Sequence, residues 1–213
     1  MLMLNMYIFY RAKKLKKKVP KNYKEILEQR TNFPQLNKIK FKFSFWQGAL
    51  SSLLSSSVTI FGGIMCSPEW AARLVLFNDE ATINAFALTI GHELTHIGKE
   101  LNKKFLSKNN RRFKLWVAEV HADFGGAEKM VDCDRNKLIE AIEYKLSLKK
   151  KNRDSNSHPS WNRRKFYAEH YDFNANLINR IAEDTKCKNK DLIDEAIHFY
   201  DEILLHPQPI TIT

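Results

Sequence analysis

Two histidines four residues apart, His92 and His96, enclose Glu93 in the run Gly91-His92-Glu93-Leu94-Thr95-His96. On a helix, a spacing of four puts both imidazoles on one face, one turn apart, where both reach a single ion. Glu93 is rotated by about 100° from His92, poorly placed to ligate but well placed beside a water on that ion. A zinc centre of catalytic type has three protein ligands and keeps one position open, so a third donor is expected. Glu119-Val120-His121-Ala122-Asp123 supplies it. Glu119 and Asp123 share a helix face, and Glu119 completes an N, N, O set for Zn2+. Asp123 can accept a hydrogen bond from the far nitrogen of a ligand histidine, which fixes that ring and raises its basicity. Two half-buried histidines and a solvated acidic face form the bland alternative, and the two motifs together outweigh it. His121 falls on another face and is expected to be structural or exposed. Gly91 costs about 1 kcal/mol against alanine inside a helix, so a close helix contact is expected there.

The elements that must position these groups are readable from periodicity. Ile83, Phe86, Ile90, Leu94, Ile97 and Leu101 recur at three- and four-residue steps, predicting a helix from Asp79 to Leu101 that carries the first motif. Trp116, Val120, Phe124, Ala127 and Val131 predict a second, over Lys114–Val131, that carries the other. Upstream, Tyr23–Arg30 reads as a short helix, and Ile39, Phe41, Phe43 and Phe45 alternate with polar residues as a half-buried strand does. Val58–Phe61 and Ile64-Met65 flank Gly62-Gly63 as a further strand pair or a bulged edge strand. Ser67-Pro68-Glu69 opens a helix, with serine at the cap and proline in the first turn. Leu138–Leu148 and Leu192–Leu205 are helical, and Asn152–Ser160 is a polar break. The expected fold class is α+β: a small early antiparallel-type sheet whose edge strand packs on the active-site helix, followed by a mostly helical C-terminal half.

The 213 residues, 44% of them hydrophobic, can bury a core without staples, so a metal site would be functional rather than a folding aid. Thirty-five Lys and Arg against 24 Asp and Glu give a formal net charge of +11. The excess is clustered at Lys13–Lys24, Lys103–Lys114 and Lys149–Arg153. Such runs suit an anionic membrane face or nucleic-acid phosphates, and the stretch Lys13–Lys24 is the expected point of peripheral contact. No aromatic residues interleave with it as a single-strand platform would need. Cys66, Cys133 and Cys187 are widely and irregularly spaced, which argues against a disulfide framework and for reduced thiols in a cytoplasmic protein. Met1–Tyr10 is too short to span a bilayer and precedes its positive charges, so no transmembrane segment or secretory signal is expected.

The runs TIGHELTHI, EVHAD and SHPSWNRR together resemble the HtpX-like gluzincin superfamily, which includes the CAAX-prenyl endopeptidases and the smaller minigluzincins. IFGGIMCSPEW is similar to the edge strand and following helix of that family. The resemblance spans roughly Ile39 to Arg164. It implies a zinc metalloendopeptidase with ligands His92, His96 and Glu119 and with Glu93 as general base. A peptide or protein substrate would lie extended along the edge strand. The family's histidine-proline motif, with an arginine six residues after the histidine, falls on His158-Pro159 and Arg164. His158 is thereby assigned to contact with substrate, oxyanion or metal, and Arg164, like Asp123, to a supporting position around the ligands. Ser55-Ser56-Ser57 stand where the family often has Asn-Ala, and the membrane helices of the larger members are missing, which points away from prenylated membrane substrates. The corresponding division is a basic N-terminal segment at 1–30, a metallopeptidase core at 31–172 and a C-terminal helical extension at 173–213. Lys13–Lys24 and His206–Thr213, outside that core, are candidates for a segment that blocks the cleft.

Two rival readings remain. ImmA/IrrE-like regulatory metalloproteases also pair H-E-x-x-H with a later glutamate. They typically add a histidine soon after the motif, where Gly98-Lys99-Glu100 has none, and they lack the His-Pro-…-Arg element. The other rival is a non-catalytic basic binding module, against which the retained Glu93 argues.

Overall fold

A computed structural model describes residues 10, 22–32, 41–43, 56–58, 64–77, 79–96, 107–132, 134–148 and 152–205. The expectations placed on Lys13–Lys21, Ile39, Phe45, Ser55, Thr59–Gly63, Ile97–Leu106, Cys133, Lys149–Lys151 and His206–Thr213 lie outside the described residues. Helix dominates. α1 is Asn22–Arg30, α2 Pro68–Leu76, α3 Glu80–His96 and α4 Lys108–Glu128. α5 is Arg135–Leu148, α6 Trp161–His170, α7 Ala175–Thr185 and α8 Lys190–Leu205. Among the described residues no helix is long and apolar enough to cross a membrane.

Among the described residues, strand is found in three segments of three residues, β1 Phe41–Phe43, β2 Ser56–Val58 and β3 Ile64–Cys66. They pair in the order β1-β3-β2, with β1 parallel and β2 antiparallel to β3. The expected antiparallel-type sheet is thus corrected to a minimal mixed pairing. The described residues are predominantly helical, and the α+β class is not confirmed as a sheet layer. β3, which comes from the IFGGIMC segment expected to be the edge strand, is instead central, and β2, at one edge, lies against α3.

Two apolar clusters flank the helix pair α3–α4. One gathers Trp70, Phe86, Ile90 and Leu94 with Leu138, Ala141 and Ile142 of α5. The other gathers Trp116, Val117 and Val120 of α4 with Tyr167, Leu177, Ile178, Ile181 and Tyr200. Phe124 touches both, so α4 runs along the seam. α4 begins six residues before the expected start at Lys114, because the Ser107 hydroxyl caps it by accepting from the Asn110 amide at 3.4 Å. It ends at Glu128 rather than Val131. The chain there turns to bridge Met130 with Thr31 and to donate the Val131 amide to the Arg30 carbonyl, which leaves Val131 46% exposed.

α3 and α4 cross at glycines. A Cβ on Gly91 would stand 2.9 Å from the Gly126 Cα, and one on Gly126 would stand 2.8 Å from the His92 amide nitrogen. The obstruction in both cases is backbone, which has no rotamer to yield. This is the close contact that Gly91 implied, and it sets His92 directly over α4. Gly126→Ala is expected to lower stability by about 1–3 kcal/mol through overpacking, despite alanine's better helix propensity. Urea unfolding checks this, and an unchanged midpoint would mean that the crossing is looser than described.

Candidate metal centre

His92 and His96 occupy the last turn and a half of α3, and Glu119 faces them from α4. The two Nε2 atoms are 3.1 Å apart. Glu119 Oε2 lies 3.5 Å from His92 Nε2, and Oε1 lies 3.6 Å from His96 Nε2. Ligand atoms at the corners of a tetrahedron with zinc-like bonds of about 2.05 Å are about 3.3 Å apart, so the three donors fit one small cation. Among the described residues this is the group of His, Cys, Asp and Glu side chains that can hold a metal ion.

Asp123, one turn after Glu119, sits 2.9 Å from His92 Nδ1. A proton on Nδ1 donated to Asp123 leaves the Nε2 lone pair facing the site. Arg164 then closes the rear. Its Nε donates to Asp123 Oδ2 at 2.6 Å, a second guanidinium nitrogen pairs with Oδ1, and Nη1 is 3.8 Å from Glu119 Oε2. The guanidinium lies over the Trp161 ring at 4.0 Å. Burial and the Asp123, Glu119 and Glu93 carboxylates all bear on Arg164, and the carboxylates hold it firmly protonated. Glu93, buried on α3, is thus within electrostatic reach of the cluster.

The electrostatics follow from these contacts. Burial disfavours the charged form of Glu119, but the hydrogen bond to His92 and the charges of His92, Arg164 and His158 hold its carboxyl at about 2. Burial acts likewise on Asp123, where Arg164 and His92 prevail and keep it far below the usual carboxylate range. Burial opposes charge on His92, yet Asp123 and Glu119 lift it to about 9. In the metal-free chain this raised value contributes stability that is fully present below the unfolded value of about 6.5. That stability is lost as pH rises through about 9. A cation on Nε2 must displace that proton. Zinc binding near pH 7 is therefore expected to release about one proton from His92, a release that vanishes above pH 9. Calorimetry in buffers of different ionisation enthalpy measures it. No release at pH 7 would contradict the His92 environment described.

His158 reaches the site from the loop between α5 and α6, its Nε2 3.3 Å from Glu119 Oε1 while the ring stays 57% exposed. Partial burial and the charges of Arg164, His92 and His96 lower its pKa against the pull of Glu119. The loop is tied down residue by residue. Ser155 Oγ accepts from the His158 amide at 2.8 Å, and the Ser155 carbonyl accepts from Trp116 Nε1 at 3.0 Å. Asp154 accepts from the Ser160 amide at 2.8 Å and from Arg163 Nε at 3.0 Å.

The structure thus brings together His92, His96, Glu119, Asp123, His158 and Arg164. His121 packs instead between the Phe173 and Tyr200 rings, and burial together with nearby positive charges lowers it to about 4. Tyr167 donates to Asp184, away from the cluster. Sequence reasoning missed Gly126 and Trp161. Gly125-Gly126, six residues beyond Glu119, was a legible sign of a second close approach. Trp161, three residues before Arg164, shares its helix face. Cys66 and Cys187 are buried, free thiols.

Comparison with protein-family models, with curated proteins and with solved structures found no match to this chain.

Proposed function

We propose that the chain is a zinc-dependent endopeptidase of gluzincin type. The observation that carries the reading is the convergence of two imidazole nitrogens and one carboxylate within 4.8 Å of one another, with buried Glu93 next to the first histidine. His92, His96 and Glu119 would hold the ion. When bound, zinc supplies Lewis acidity, lowering the pKa of a water towards about 7 and polarising a carbonyl.

The chain's own groups do the rest. Glu93 accepts the proton of the attacking water and delivers it to the leaving amine. Asp123 and Arg164 fix the His92 ring. His158, on its tethered loop, offers a donor for the oxygen that gains charge at the scissile carbonyl. The proposal includes an α+β core in which β2, at the edge in place of the expected IFGGIMC segment, pairs with an extended substrate, and a cytoplasmic setting. His158 beside Glu119, with Arg164 behind, supports this reading over the ImmA/IrrE-like one, which lacks that element.

Casein hydrolysis by the zinc-loaded chain tests the proposal. Turnover is expected to stop on chelation and to return on adding zinc. Turnover that persists without metal would sink it.

A further inference from the structure

At the end of the molecule formed by the start of α4 and the α7–α8 turn, five cations share one surface. Lys108 and Arg111 stand exposed on the first turn of α4, and Lys186, Lys188 and Lys190 stand exposed on the turn. The two segments are fastened together. Asn109 Nδ2 donates to the Lys186 carbonyl at 3.4 Å, and the buried Cys187 thiol donates to Asn110 Oδ1 at 3.4 Å. Ion pairs nearby engage other residues, Arg112 with Asp154 and Lys114 with Glu195. None among the described residues engages these five. Asp191 and Glu183 are the exposed acids closest in sequence, and they leave the patch strongly positive.

Two further features add to it. α4, of 21 residues, and α8, of 16, both begin here, so the positive ends of two helix dipoles point into the patch. Lys186 also holds a left-handed backbone, φ 59° and ψ 33°, which glycine adopts with less strain. A lysine there places charge on this surface at a position where the backbone would favour none.

We infer that this surface binds the phosphate backbone of a nucleic-acid duplex without reading its sequence. Among the described residues, the exposed large apolar side chains, Tyr10, Phe77, Val131 and Phe166, belong to other segments, so none of them lies in the patch to insert into a bilayer. Among the described residues it also offers no exposed aromatic ring on which single-stranded bases would stack. Array and charge alone remain, and these suit phosphates. Arg111 lies eight residues, about 12 Å, along α4 from Glu119, so the surface is separate from the metal centre and does not depend on the peptidase reading.

The test is the salt dependence of binding to a short labelled DNA duplex, measured by fluorescence anisotropy on the full chain. Each phosphate contact contributes about −0.9 to the slope of log K against log salt. The triple variant Lys186→Gly, Lys188→Ala, Lys190→Ala should therefore bind with a slope smaller in magnitude by about 2.7. Lys108→Ala with Arg111→Ala should remove about 1.8 more. Glycine suits the left-handed position, so the fold is expected to be kept, and the thermal midpoint verifies this. His96→Ala should leave duplex binding unchanged. An unaltered slope in the triple variant would overturn the inference, by assigning any binding to other basic segments. So would binding to anionic vesicles, lost in the triple variant, with no binding to the duplex.

Discussion

Replacing Arg164 by leucine is expected to cost about 3–5 kcal/mol of stability and to weaken metal binding in whatever fraction remains folded. The side chain is 5% exposed and pairs with both oxygens of Asp123, itself 8% exposed. Without it, Asp123 is a buried carboxylate with only His92 to face. The sign of the pH effect is fixed by the Asp123 shift, whose folded value is depressed. Its stabilisation is present above the unfolded value of about 3.9 and is lost as pH falls through the folded one. The deficit of the leucine variant should therefore be full at neutral pH and shrink below about pH 4.

A cycle with Asp123→Asn separates this ion pair from mere packing on Trp161. Urea unfolding of Arg164→Leu, Asp123→Asn and the double variant should give a double deficit well below the sum of the singles. Strict additivity would refute the pairing. Zinc affinity should drop about 10–100-fold in either single variant, as it does when the partners of ligand histidines are removed.

The second large effect is on chemistry rather than stability. Glu93→Gln keeps the shape and burial of the side chain and leaves His92, His96 and Glu119 intact, so zinc content and thermal midpoint should stay as they are. Peptide hydrolysis should fall by about 10²–10⁴-fold, the contribution of a positioned base. Glutamine cannot take the proton of the attacking water. A variant that kept zinc and cleaved at the wild-type rate would remove Glu93 from the mechanism and with it the assignment of this site as a peptidase centre.

Much of the site was legible in the sequence, because it depends on spacing along helices. His92 and His96 at four residues, and Glu119 and Asp123 at four, fix relative positions once the helices exist, and Gly91 marked where those helices meet. Less legible was what comes from tertiary contact. α6 escaped notice because Trp161–His170 carries few apolar residues in period. Its start depends on the Ser160 hydroxyl accepting from the Arg163 amide at 3.3 Å. Arg164 was placed by resemblance, while its stacking on Trp161 needed the fold. α7 is a different kind of omission. Leu177, Ile178, Ile181, Ala182 and Thr185 are buried at helical spacing, and Asn174 caps them, so both signals stood in the sequence. Alternation from Ile39 to Phe45 suggested a strand, and its described positions, Phe41–Phe43, pair with β3.

The central claim is that His92, His96 and Glu119 hold one metal ion, and metal stoichiometry tests it most directly. Wild type, His96→Ala and Glu119→Ala would be dialysed to equilibrium against limiting free zinc and analysed for bound metal. About one zinc per wild-type chain and almost none in either variant is the predicted result. No bound zinc in wild type, or equal zinc in all three, would contradict the account.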